Sequence, residues 1–179
     1  ERVGQIDPGS LDEARAAGAY QGLEKVLAEM TPAQVIDLVQ ASGLQGRGGA
    51  GFSTGLKWRF TAQAAGDVKY VIANADESEP GTFKDRLMME GDPHRLLEGM
   101  AIAGYAIGAH EGFIYIRGEY GPAAERLRQA VHQAEAAGLL GDNILGRGFS
   151  FHIDVHRGAG AYICGEEKPR PRILSPSER

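Results

Sequence analysis

The residues best suited to chemistry stand in three clusters. The first is Gly46-Arg47-Gly48-Gly49-Ala50-Gly51-Phe52-Ser53-Thr54-Gly55-Leu56-Lys57-Trp58, in which five of the first ten residues are glycine. Glycine reaches φ > 0 and carries no Cβ to hold a ligand away. Successive amide N–H groups in such a loop can line an anion, and a helix starting after it adds its positive end. Arg47 and Lys57 add charge nearby, so the chemistry indicated is that of a nucleotide or phosphorylated cofactor. Gly46, Gly48 and Gly51 also satisfy G-x-G-x-x-G. The dinucleotide form of that motif follows a strand, whereas Thr31 to Ser42 reads as helix, which argues against an ordinary Rossmann first turn. The plain alternative is a flexible glycine loop without a ligand. The embedded Arg, Phe, Lys and Trp count against it.

The second cluster is Asn74-Ala75-Asp76-Glu77-Ser78-Glu79-Pro80-Gly81. It follows the short apolar run Lys69-Tyr70-Val71-Ile72-Ala73, read as a buried strand. Polar groups at the carboxyl end of a strand are where open α/β sheets bind ligands. A solvated acidic turn is the competing reading. The third cluster is Arg157-Gly158-Ala159-Gly160-Ala161-Tyr162-Ile163-Cys164-Gly165-Glu166-Glu167, a second glycine-rich turn ending in paired acids.

Other chemistries are poorly supplied. The chain has 179 residues, is 42% hydrophobic, carries a net charge of −5 and contains one cysteine, Cys164. That cysteine cannot form an internal disulfide or build a multi-thiolate iron–sulfur or zinc site alone. His152 and His156 share one face of an expected strand about 13 Å apart, too far for one metal ion. His94, His110 and His132 show no ligand spacing, so no metal site is expected. The scattered basic residues mark no nucleic-acid surface. No apolar run approaches the roughly 18 residues of a membrane span, and no signal-peptide pattern opens the chain. A soluble intracellular protein is expected.

The elements that position these clusters alternate along the chain. Ser10 can cap a helix from Leu11, and Tyr20 to Met30 is helical in pattern. Thr31-Pro32-Ala33-Gln34 offers an N-cap, proline at the first helical position and glutamine at the third, and Gly43 ends that helix. Ser53 or Thr54 starts a short helix carrying Lys57, Trp58 and Phe60. Helices are expected from Thr82-Phe83-Lys84-Asp85 and from Asp92-Pro93, the latter turning Leu96, Leu97, Met100 and Gly104 inward. Gly99, Gly104 and Gly108 are read as close-packing positions. Gly112 to Arg117 is a second strand, Pro122 opens a helix to about Ala137, and Ser150 to Val155 is a third strand. Alternating strands and helices predict an α/β fold: a Rossmann-like parallel sheet flanked by helices, preceded by a helical N-terminal segment.

Taken together and in order, the three clusters, the second extended through Thr82-Phe83-Lys84-Asp85-Arg86, closely resemble the family of the flavin- and NADH-binding 51 kDa subunit of respiratory complex I. That family includes the diaphorase subunits of NAD-dependent formate dehydrogenases and NAD-reducing hydrogenases. The resemblance is strong from about Gly43 to Glu167 and softer before. It implies a helical segment over 1–42, an FMN/NADH-binding α/β domain over 43–167 and a basic, proline-containing tail over 168–179. It implies FMN at the end of the sheet with NADH stacked on its face. Gly46, Arg47, Gly48, Gly49, Lys57, Asn74, Asp76, Glu77, Tyr162, Gly165, Glu166 and Glu167 are then flavin-pocket positions. Phe52 and Phe60 match aromatics on the adenine side of NADH, Glu79 an acid contacting the dinucleotide, and Glu79 and Glu167 lie near the nicotinamide. No protein nucleophile is implied: the flavin carries the redox step. Single electrons would pass to iron–sulfur clusters of a larger redox complex, with a [2Fe–2S] protein as partner, on the cytoplasmic or matrix side of a membrane.

The chain departs from the family pattern after Glu167, where family members continue with a threonine-alanine-leucine helix and this chain reads Lys168-Pro169-Arg170-Pro171-Arg172. The resemblance implies a short missing segment there, and a fragment lacking the cysteine-rich domain that binds a [4Fe–4S] cluster. Ser53 stands where proline is common and is expected to cap a helix. Two other readings are weighed: a diaphorase working toward NAD⁺ reduction, slightly favoured by Gly4-Gln5-Ile6-Asp7-Pro8, and a truncated, non-catalytic structural subunit.

Overall fold

The computed structural model describes residues 2–47 and 50–159. Positions 48, 49 and 160–179, and with them the expectations for Gly48, Gly49, Tyr162, Gly165, Glu166, Glu167 and the tail, lie outside the described residues.

Three N-terminal helices come first: α1 (Leu11–Ala16), α2 (Gln21–Glu29) and α3 (Pro32–Ala41). Where α1 and α3 begin, side chains satisfy the orphan amides of the first turn. Ser10 Oγ accepts the Glu13 N–H. Thr31 and Gln34 form the reciprocal capping box, with Pro32 inside the first turn. After the glycine loop, α4 (Thr54–Gln63) begins at Ser53, whose Oγ accepts the Leu56 N–H at 3.4 Å. The expected cap is therefore present, and the glycine loop is preceded by a helix rather than a strand.

The remainder alternates: β1 (Tyr70–Ala75), α5 (Lys84–Gly91), α6 (Pro93–Ile107), β2 (Glu111–Ile116), α7 (Gly121–Ala136) and β3 (His152–Arg157). The strands form a parallel sheet in the order β1-β2-β3. Ala75 pairs with Ile116 and Ile116 with Arg157, so the three strands end flush. Whatever follows each strand therefore leaves from one edge, the carboxyl edge where parallel sheets bind ligands.

Alternate strand residues face opposite ways. Ala75, Ile114, Ile116, Ile153 and Val155 are buried with Leu97 and Met100 of α6 and Leu127, Ala130 and Val131 of α7. The other face carries Tyr70, Ile72, Asn74, Phe113, Tyr115 and His156, none of them buried. Tyr20 and Leu23 of the N-terminal segment join the same core as the sheet.

Two expectations need correction. β1 is not a buried strand: among the described residues it is an edge strand, and Ile72 is 63% exposed. The apolar run reads the same either way, and only pairing distinguishes edge from centre. The three glycines assigned to α6 also separate in role. A Cβ on Gly104 would lie 2.5 Å from the Phe151 ring, so this is close packing as expected. Gly108 instead ends the helix at φ +75, the left-handed conformation that glycine adopts freely. Gly99 faces open space.

Candidate functional site

The glycine loop is closed at its neck. Gln45 and Ser53 form an antiparallel bridge, Gly46 N–H donates to Phe52 O at 2.9 Å, and Thr54 N–H donates to Leu44 O at 2.9 Å. The Gly46 amide is thus committed inside the loop and is not available to a ligand. The Thr54 and Leu56 amides at the start of α4 are likewise engaged. Anion contacts from the backbone must come from elsewhere in the loop.

A cleft of about 470 Å³ opens between this loop, α4 and the edge of β1 that is unpaired among the described residues. That size suits a small-molecule site. Gly46, Phe52, Lys57, Trp58, Tyr70 and Ile72 are among its lining residues. Lys57 is exposed and makes no ion pair among the described residues. Arg47 is exposed in the loop. Phe52 presents half its surface to solvent at the mouth. Phe60, further along α4, is exposed but does not line the cleft. The loop is set against the sheet by α3 and α4, which meet where a Cβ on Gly55 would strike the Gln40 backbone at 2.4 Å.

The acidic loop leaves the carboxyl end of β1. Asn74 is the next residue after Ile72 on the cleft side of the strand, about 7 Å further along. Asn74 Oδ1 accepts the Asp76 N–H at 3.1 Å, and Ser78 Oγ donates to Asp76 Oδ1 at 2.8 Å. Asp76 Oδ2 is enclosed and has no hydrogen-bond partner among the described residues. An enclosed acceptor left unpaired is costly unless something donates to it. Glu79 is exposed and has an interaction of its own.

Glu77 behaves differently from its neighbours. Its buried carboxylate accepts the Asp85 N–H at 2.9 Å, the Arg86 N–H at 3.1 Å and the Tyr120 hydroxyl at 3.3 Å. It therefore supplies the N-terminal cap that α5 lacks from Phe83. Its carbonyl accepts Arg117 Nη1–H at 2.9 Å. Arg117, Glu119 and Tyr120 are not among the sequence candidates. Their motif Arg117-Gly118-Glu119-Tyr120 directly follows β2, and strand-end placement is the signal that marks it. Arg117 also forks onto Glu119 through Nε and Nη2, both at 3.1 Å. That pairing raises the Arg117 pKa and lowers that of Glu119. At the end of β3, Arg157 donates to Gly118 O, tying that strand to the same corner.

The donor set suits a flavin nucleotide. Asp76 Oδ2, one of two enclosed side-chain acceptors unpaired among the described residues (the other is Asp92 Oδ1), can take an N–H or O–H group, and the Lys57 ammonium can meet a phosphate. Among the described residues no group of three or more His, Cys, Asp or Glu side chains could hold a metal ion, and no helix is long and apolar enough to cross a membrane.

Comparison with known proteins gives the same direction. The family described as the Nuo51 FMN-binding domain matches residues 39–170. An F-type subunit of the NADH-quinone oxidoreductase of Rhizobium meliloti is 57% identical over 157 residues, covering 88% of this chain and 37% of the relative. The HndC subunit of the NADP-reducing hydrogenase of Solidesulfovibrio fructosivorans is 56% identical over 164 residues, covering 92% of this chain and 33% of the relative. The chain thus spans about a third of the length of these relatives. A crystal structure of an NAD⁺-reducing [NiFe]-hydrogenase in the H₂-reduced state superposes with a TM-score of 0.73 at 39% identity, covering 83% of this chain and 25% of that one.

Proposed function

The chain belongs to the family of the Nuo51 FMN-binding domain, and from that premise we propose that it is the cofactor-binding portion of an NADH-oxidising flavoprotein. The observation that carries this reading is the enclosed, unpaired Asp76 Oδ2 at the end of a strand whose edge forms a cleft with Lys57. When bound, FMN supplies the chemistry: hydride exchange with a nicotinamide and release of single electrons to iron–sulfur clusters.

The chain's own residues bind and orient. Asp76 Oδ2 would accept a hydrogen bond from the flavin nucleotide. Lys57 and Arg47 offset phosphate charge at the glycine loop. Phe52, at the mouth of the cleft, is placed to stack on the adenine side of the dinucleotide, and Glu79 to contact its polar groups. Phe60 is assigned to the same outer surface. Gly46 contributes by shaping the loop neck, Asn74 by holding the Asp76 amide, and Glu77 by anchoring the acidic loop. Gly48, Gly49, Tyr162, Gly165, Glu166 and Glu167 complete the pocket in this reading, with Glu167 beside the nicotinamide. No side chain acts as a nucleophile.

The assembly proposed is a larger redox complex containing a [2Fe–2S] protein, on the cytoplasmic side of a membrane. The hydrogenase relatives, whose names describe reduction of NADP and NAD⁺, support the same chemistry run toward nucleotide reduction as a second reading. The test is FMN uptake by the wild type and by Asp76→Ala and Lys57→Ala. Both variants are expected to bind more weakly, and equal binding by all three would remove the site.

A further inference from the structure

We propose that Arg117 is a positioning residue for the flavin: it acts through Asp76, holding that carboxylate so that Oδ2 faces the ligand. The inference rests on reading the cleft and acidic loop as a flavin site.

The flush edge of the sheet sets the arrangement. Ala75 and Ile116 are register partners, so Asp76 and Arg117 leave the sheet side by side. Arg117 uses all three guanidinium nitrogens. Nε and Nη2 grip both oxygens of Glu119, and Nη1 donates to the Glu77 carbonyl. A guanidinium gripped at two nitrogens has its third donor direction fixed by its planarity. Its Cζ also lies 5.2 Å from the Tyr120 ring centroid, with that of Arg86 at 5.4 Å.

The residue it holds is anchored again through its side chain. Two amides of α5 and the Tyr120 hydroxyl bind the Glu77 carboxylate. Glu77 is therefore fixed at its carbonyl and its carboxylate, one peptide away from Asp76. On the other side, Asn74 and Ser78 hold the Asp76 amide and Oδ1. Once these bonds are made, the side-chain oxygen of Asp76 left over is Oδ2. Freeing the Glu77 carbonyl would let the 77–78 peptide turn, carry away Ser78, whose hydroxyl holds Asp76 Oδ1, and swing Oδ2 away. Lysine cannot replace arginine here, because one ammonium cannot both reproduce the two-point grip on Glu119 and reach the carbonyl in a fixed direction.

The test is a double-mutant cycle in the full-length subunit, with FMN titrated and its fluorescence quenching followed. Wild type, Arg117→Lys, Asp76→Ala and the double variant are compared, and thermal unfolding of each flavin-free protein is recorded separately. Arg117→Lys is expected to weaken FMN binding about tenfold, the size of one hydrogen bond to a charged group. Because Arg117 acts through Asp76, the double variant should bind no worse than Asp76→Ala alone. Unchanged binding in Arg117→Lys overturns the proposal. So do losses that multiply to about a hundredfold, since independent sites add in free energy. If Arg117→Lys does not fold, Glu119→Gln, which loosens the grip and keeps the guanidinium, goes through the same cycle. A folded wild type that takes up no FMN defeats the flavin reading itself, a result distinct from a wild type that binds and variants that bind equally.

Discussion

Tyr20 Oη and His94 Nδ1 lie 3.0 Å apart in the core, and the direction of that hydrogen bond is set from the far side of the imidazole. Gln133 Nε2 donates to Gly9 O at 2.8 Å, which turns Gln133 Oε1 toward His94 Nε2 at 3.3 Å. Oε1 can only accept, so Nε2 carries the proton and Nδ1 accepts from Tyr20. The network needs neutral histidine, and burial lowers the His94 pKa from its ordinary 6.5. Burial likewise raises the Tyr20 pKa.

A pH dependence follows. The unfolded chain takes up a proton at His94 near the ordinary histidine pKa of 6.5, while the folded chain does so only at lower pH. Below about 6.5 the unfolded state therefore binds more protons, and stability falls as pH drops through that window. The loss is at most about 1.4 kcal/mol per pH unit. Thermal unfolding between about pH 7.5 and 5.5, a range that brackets the ordinary histidine pKa, should show it. In His94→Gln the slope should flatten, even though the variant starts less stable. An equal slope in both would assign the effect elsewhere.

Two glycine-to-alanine substitutions should act in opposite directions. In Gly55→Ala the new methyl would meet the Gln40 backbone at 2.4 Å, and backbone cannot step aside cheaply. A loss of about 1–3 kcal/mol is expected, together with weaker ligand binding, because α4 carries Lys57 and follows directly on the glycine loop. In Gly99→Ala the methyl meets nothing within 4 Å inside α6. A gain of up to about 1 kcal/mol is expected from helix propensity. Chemical denaturation of both variants checks the pair.

Removing the Glu77 carboxylate should unfasten α5. Glu77→Ala leaves the Asp85 and Arg86 amides without their acceptor. A cost of about 1–2 kcal/mol is expected, as for loss of a helix cap. Hydrogen exchange should report it locally: those two amides lose protection, while the strand amides of β2 keep theirs. Uniform loss of protection would make the effect global rather than a cap.

Local features are legible in the sequence and long-range ones are not. Ser10, Thr31 and Ser53 announce helix starts because a cap is a local event, settled by residues within one turn. The three clusters stand out because each gathers glycines or acids within a few consecutive residues, a pattern read without knowledge of the fold. Nothing local distinguishes an edge strand from a central one at Val71-Ile72-Ala73, so the open edge of β1 emerges only from the pairing. Gly108 looks like the packing glycine Gly104, and backbone conformation separates them. Glu77 reads as another pocket acid, because its partners Asp85, Arg86, Arg117 and Tyr120 are brought to it by the fold.

The two nucleotides should separate by mutation. Phe52 lines the cleft and is half exposed, and Glu79 is exposed in the acidic loop after β1; both are proposed to serve the dinucleotide. Phe52→Ala and Glu79→Gln are expected to raise the NADH concentration needed for half-maximal flavin reduction several-fold, on the order of 1 kcal/mol in binding. FMN retention should stay near wild type. Stopped-flow reduction at varied NADH gives one quantity and FMN stoichiometry the other. Unchanged reduction in both variants would return these residues to the surface.

The most direct measurement is an anaerobic absorbance spectrum of the protein after incubation with FMN and removal of the excess, followed by titration with NADH. The expected result is a retained flavin spectrum that NADH bleaches with saturating, near-stoichiometric uptake. A folded sample that retains no flavin, or retains flavin that NADH leaves oxidised, would contradict the flavoprotein assignment and point to a structural role instead.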